Sequence, residues 1–152
     1  MDKINNFGVI ARILLGTIFV VSGAEKLLSP YQNFLYVIQN YQLIGPPLDE
    51  WVARIFPWIE FLLGLFCLLG LWLTRSLEGI LVIVTVFIGV VGQALIRGLP
   101  IDECGCFGSL VSLPLQGVII VDSCLWLLTS WLLFPGAKAS RFSLDEYFSK
   151  NS

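Results

Sequence analysis

Two cysteines stand one residue apart in the stretch Ile-Asp-Glu-Cys-Gly-Cys-Phe-Gly, residues 101–108. Cys104 and Cys106 can close on each other as a disulfide, or as thiolates on a soft ion such as Cu(I) or Hg(II). A disulfide needs their α-carbons within about 7 Å. Gly105 supplies the backbone freedom, because it adopts positive φ without steric cost. A ring that small is strained, and strained, exposed disulfides are the exchangeable ones. A nearby Arg97 or Lys26 favours thiolate, whereas Asp102 and Glu103 oppose it. The chain has no histidine, so the commonest ligand for zinc and the usual general base are both missing. Thiols and carboxylates must carry whatever chemistry there is. Cys67 and Cys124 lie inside apolar runs and read as small packing residues.

These groups need a scaffold, and the composition says which kind. Of 152 residues, 57% are hydrophobic and 13% charged, with a mean hydropathy of +0.85. Soluble domains carry about 25% charged residues. The apolar residues fall in blocks of about 20, the length that crosses a bilayer. The expected fold is all-α, a polytopic bundle of four transmembrane helices in the lipid bilayer. Its spans are Phe7–Leu28, Val52–Leu73, Leu77–Ile96 and Leu115–Phe134. The net charge of −2, with no basic run or stacking platform, excludes a nucleic-acid partner.

Lys3, an apolar run and Ser22-Gly23-Ala24 also resemble a secretory signal. The apolar run continues past them to Leu28, which favours a retained span. With four spans, six of the nine Lys and Arg residues fall on one side and Lys26, Arg54 and Arg97 on the other. That bias puts both termini in the cytoplasm. The Cys-Gly-Cys turn then faces the periplasm or exterior, where disulfides persist. Residues 1–136 form the membrane domain and 137–152 a charged cytoplasmic tail.

Between the first two spans, Ser29 and Gln32 have capping-box spacing, Pro30 fits a first helical position, and Phe34, Val37, Ile38 and Tyr41 recur at helical intervals. The spacing predicts an amphipathic interfacial helix over Pro30–Tyr41, with Tyr31, Tyr36, Tyr41 and Trp51 at headgroup depth. The link Thr74–Ser76 makes spans two and three antiparallel neighbours. Gly16, Gly23, Gly64, Gly89 and Gly92 are expected to let helices approach closely.

Laid antiparallel, the spans gather Glu25, Lys26, Glu60, Gln93, Arg97 and Asp122 in their outer halves, below the cysteine turn. The inner halves carry little beyond Thr17, Thr85, Thr129 and Ser130. Ionisable groups at that depth are costly and mark sites. The bland alternative is ion pairs, Glu60 or Asp122 with Arg97 or Lys26, that only fix helix register.

Arg12-Ile-Leu-Leu-Gly16, Phe19, Gly23, Lys26-Leu-Leu-Ser-Pro30, Tyr41-Gln-Leu, Pro57-Trp-Ile-Glu60, Gly64 and Cys104-Gly-Cys-Phe-Gly108 together resemble the MauE branch of the DoxX-like membrane proteins. The Cys-Gly-Cys-Phe-Gly and Pro-Trp-x-Glu elements are the specific ones. The resemblance implies a four-helix inner-membrane protein associated with thiol redox, often beside a periplasmic thioredoxin-like protein. Methylamine-utilisation members are linked to disulfide formation in a periplasmic dehydrogenase. More distant DoxX-like relatives include a subunit of a thiosulfate:quinone oxidoreductase, which makes a quinone a reasonable electron acceptor.

The expected function is therefore a thiol–disulfide oxidoreductase passing electrons from a periplasmic dithiol through Cys104 and Cys106 to a membrane quinone, with no resident metal. An accessory subunit of a larger membrane complex with a stapled turn, and a soft-metal binder, are the alternatives. Met1 is the only methionine, which counts against a metal-transport path.

Overall fold

The computed structural model describes residues 2–98 and 114–134. Five helices follow one another: α1 (Asp2–Leu28), α2 (Tyr31–Asn40), α3 (Leu48–Leu69), α4 (Leu73–Arg97) and α5 (Leu115–Leu133). No strand occurs among the described residues. α1, α3, α4 and α5 are long and apolar enough to cross a membrane; this is a four-span, multi-pass membrane protein. The Cys-Gly-Cys turn and the tail 137–152 lie outside the described residues.

Helix ends differ from the sequence reading by about one turn, and the causes are local. The second span starts at Leu48, not Val52, because Pro47 precedes a first turn whose Asp49 and Glu50 suit the positive end of the helix dipole. It ends at Leu69, where Gly70 takes the left-handed conformation (φ 69°) that terminates helices. The tight link to α4 is therefore Gly70-Leu71-Trp72, and Thr74–Ser76 lies inside α4. α2 is present, but its expected capping box is not. Pro30 is the N-cap without a side-chain bond, and the Ser29 hydroxyl instead bonds Glu25 Oε1 at 3.3 Å.

α1 and α3 form the tightest helix pair. A methyl group on Gly16 would lie 2.8 Å from the Leu68 backbone nitrogen, on Gly23 2.7 Å from that of Phe61, and on Gly64 2.7 Å from that of Val20. Only residues without a Cβ allow this approach, and packing rather than the hydrophobic effect drives it in lipid. Gly89 and Gly92 meet nothing within 4 Å, so the packing role expected of them is not theirs. Leu15, Phe19, Cys67, Leu77, Ile80 and Val84 build the main apolar core. α4 packs on α5, where Trp126 Nε1 donates to Thr85 Oγ1 at 3.1 Å.

α2 lies across α3. The Arg54 guanidinium stacks 4.6 Å from the Tyr31 ring centre, and Gln39 Nε2 donates to the buried Asp49 Oδ2 at 2.8 Å. Tyr36 and Trp51 are exposed, as interfacial aromatics would be, but Tyr41 is buried. It ends α2 by turning into the bundle, which corrects its expected place at headgroup depth.

Candidate functional site

Four helices contribute to one polar cluster: the last two turns of α1, the middle of α3, and the interior of α4 and α5. Lys26 Nζ pairs with Glu60 Oε2 at 2.8 Å and donates to Ser22 Oγ at 2.8 Å. The Ser22 hydroxyl in turn donates to Glu60 Oε1 at 2.8 Å. Both carboxylate oxygens of Glu60 are thus engaged from α1. Ser22 and Lys26 are four residues apart and so share one face of α1. All three side chains are buried. Glu60 follows Leu48 by twelve residues, which sets it about 18 Å along α3, deeper than the sequence spans implied. The Lys26 ammonium also sits 5.5 Å from the Phe34 ring centre, so α2 covers the pair.

Asp122 of α5 is 2% exposed, and its Oδ2 makes no hydrogen bond among the described residues. It shares with Ser22, Glu60 and Phe87 a crevice of ≈ 10 Å³. Lys26 is the charge that acts on it. Asp122 acts on Tyr41, whose phenol is pushed up to about 12 by burial first and by that carboxylate second. Ser22, Lys26, Glu60, Asp122 and Tyr41 therefore form one electrostatic unit.

The remaining expected site residues fare unequally. Glu25 is half-buried and accepts the Ser29 hydrogen bond. Gln93 is half-buried, with an Oε1 that makes no hydrogen bond among the described residues. Arg97 is exposed at the end of α4 and pairs with neither carboxylate among the described residues. Cys104 and Cys106 lie outside the described residues. Cys67 is fully buried, as packing requires, whereas Cys124 is exposed.

Polar burial is not confined to this half. Arg12 is 3% exposed inside α1, and its carbonyl accepts from Cys67 Sγ at 3.8 Å. Ser76 is buried and bonds the carbonyls of Leu71 and Trp72, both at 3.2 Å. The sequence signal for Arg12 was present: a guanidinium six residues into an apolar run. Ser22 was missed because a serine in a small-residue stretch reads as packing.

A second cavity, of ≈ 290 Å³ and almost wholly apolar, lies between α2, α3 and α4. Phe34, Tyr41, Phe56, Phe87 and Val91 contribute to its walls. Phe87 borders both cavities, and the Phe56 ring stands between Phe34 and Phe87 with centroid separations of 6.1 and 5.4 Å. Val52 and Val86 at its rim are exposed, so it opens sideways toward lipid. Among the described residues, no three Cys, Asp or Glu side chains come together as a metal site would need.

The family model described as methylamine utilisation protein MauE matches residues 4–135. The chain belongs to the MauE family. One curated relative of this MauE protein, Protein TlpB of Flavobacterium psychrophilum, is 31% identical over 119 residues, covering 71% of the present chain and 31% of TlpB. The MauE chain thus spans less than a third of that relative's length. No solved structure matches it.

Proposed function

We propose that this MauE-family protein is a thiol–disulfide redox protein of the bacterial inner membrane, with both termini cytoplasmic and the Cys-Gly-Cys turn periplasmic. The observation that carries the reading is the buried Ser22–Lys26–Glu60–Asp122 unit, inside a bundle two of whose helices are joined by the Cys104–Cys106 segment. A chain of this size keeps so much buried charge only at a cost, and such costs are met most often at sites.

In the reaction a periplasmic dithiol, on a thioredoxin-like protein or a larger complex, supplies a thiolate that attacks the Cys104–Cys106 disulfide. The S–S bond breaks, a mixed disulfide forms, and the partner's second thiolate releases it. The partner leaves oxidised and the two cysteines leave as a dithiol. That dithiol returns to the disulfide by giving two electrons and two protons to a membrane quinone, which becomes the quinol. The resemblance to DoxX-like proteins supports a quinone, and so does the lipid-facing apolar cavity, which suits an uncharged, isoprenoid-tailed acceptor.

Lys26 is held by Glu60 and Ser22, and Arg97 is exposed, so neither is assigned as a thiolate-stabilising cation. Asp122 is the carboxyl of this cluster without a salt bridge among the described residues and is assigned to proton movement. The test is mass-tag maleimide alkylation before and after reduction, in membranes with and without quinone. Cys104 and Cys106 should change state with the quinone and with a dithiol partner. A pair that never changes state would refute the redox reading, and an unimpaired Cys104→Ser, Cys106→Ser variant would leave the accessory-subunit role.

A further inference from the structure

The crevice between α1, α3, α4 and α5 has the size and lining of a site for one water. Its ≈ 10 Å³ is about one water-sized sphere, and a buried water needs two to four polar partners. Three are present: the Ser22 hydroxyl, the Glu60 carboxylate and Asp122. Asp122 Oδ2 is buried and lacks a hydrogen bond among the described residues, and leaving such an oxygen dry costs about 1–3 kcal/mol or more. A bridging water removes that cost.

The charges facing the crevice do not balance. α3 presents Glu60 and α5 presents Asp122, while α1 presents Lys26, already 2.8 Å from Glu60. α4 contributes only Val84 and Phe87, and Tyr41 at the end of α2 is neutral at ordinary pH. Two carboxyls thus share one cation among the described residues. Two like charges lining one crevice in a low-dielectric interior are costly without a second positive charge.

We infer that the Ser22–Glu60–Asp122 crevice is a proton-binding site, in which one water joins Asp122 to Glu60 and the cluster holds one exchangeable proton. The proton is shared between Asp122 and the water and moves without change of redox state. Its use in turnover rests on the redox reading: there Asp122 gives this proton toward the reduced acceptor and regains one of the two thiol protons as the disulfide forms, so that the cluster ends the cycle with its one proton, as it began.

The experiment is infrared difference spectroscopy on the full chain in nanodiscs, without quinone or partner. The expected result is a carboxylic acid C=O band that shifts in D2O, is absent in Asp122→Asn, and moves to another frequency in Ser22→Ala as the water network changes. Ser22→Ala guards against a misfolded Asp122→Asn, because it keeps both carboxyls. Absence of a deuterium-sensitive carboxyl band from the unmodified protein, or its persistence in Asp122→Asn, overturns the inference. Quinone-driven oxidation of Cys104 and Cys106 is read in parallel and should slow about 100-fold or more in Asp122→Asn. Should the band behave as expected while the cysteines stay inert in the unmodified protein, the proton site stands and the redox reading falls.

Discussion

Lys26 Nζ lies 2.8 Å from Glu60 Oε2, both side chains are almost fully buried, and Ser22 bonds to each. The pair joins the last turn of α1 to the middle of α3, and a buried charge left unpaired there is costly. Glu60→Met or Lys26→Met alone should destabilise the protein by about 3–5 kcal/mol, because each leaves the other charge buried and unpaired. The double substitution Lys26→Met, Glu60→Met should recover most of that loss. Thermal unfolding in nanodiscs measures both, and additive losses would mean that the two residues do not act on one another.

Close approach of α1 and α3 depends on Gly64, where a Cβ would meet the Val20 nitrogen at 2.7 Å. Backbone cannot yield as a side-chain tip can, so Gly64→Ala should cost about 1–3 kcal/mol of stability. Gly92→Ala has open space and should be neutral or stabilising by up to ~1 kcal/mol through helix propensity. The same unfolding assay ranks the two, and equal effects would contradict the packing described.

α2 is held to α3 by the Gln39–Asp49 hydrogen bond and the Tyr31–Arg54 stack. Hydrogen bonds to charged groups contribute about 1.5–3 kcal/mol and an exposed cation–π contact about 0.5–1 kcal/mol. Gln39→Ala should therefore loosen α2 more than Arg54→Gln does. Hydrogen exchange should accelerate across Tyr31–Asn40 while the amides of α1 near Gly16 keep their protection.

Tyr41 has its phenol pushed up to about 12 by burial and by Asp122, above the ordinary value of about 10. A raised value in the folded state means that its stabilising contribution is complete below pH 10 and is lost as pH rises through about 12. Alkaline titration of tyrosinate absorbance should show a late component that is missing in Tyr41→Phe. Asp122→Asn should move that component to lower pH, since it removes the second cause.

Much of this was legible in the residues. Four apolar blocks fixed the spans, and Pro-Trp-Ile-Glu60 in one block with Lys26 at the end of another announced a buried charge pair. The choice of Lys26 over Arg97 was not legible, because it depends on which α-helical face each residue takes once α1 and α3 close on their glycines. Gly16 and Gly64 look no different in sequence from Gly89 and Gly92; only packing separates contact from open space. Tyr41 belongs to an amphipathic pattern that fits a membrane surface equally well. Its burial follows from the turn after Asn40, which one-dimensional periodicity does not encode.

Because the cation and the anion of the central pair belong to different spans, their insertion demands are unequal. Lys26 stands in the last turn of α1, from which a lysine can reach the interface, whereas Glu60 stands near the middle of α3, where a lone charge is costly in lipid. The span that needs the other is thus α3: α1, made first, already carries the counter-charge that makes the entry of α3 into the bilayer less costly.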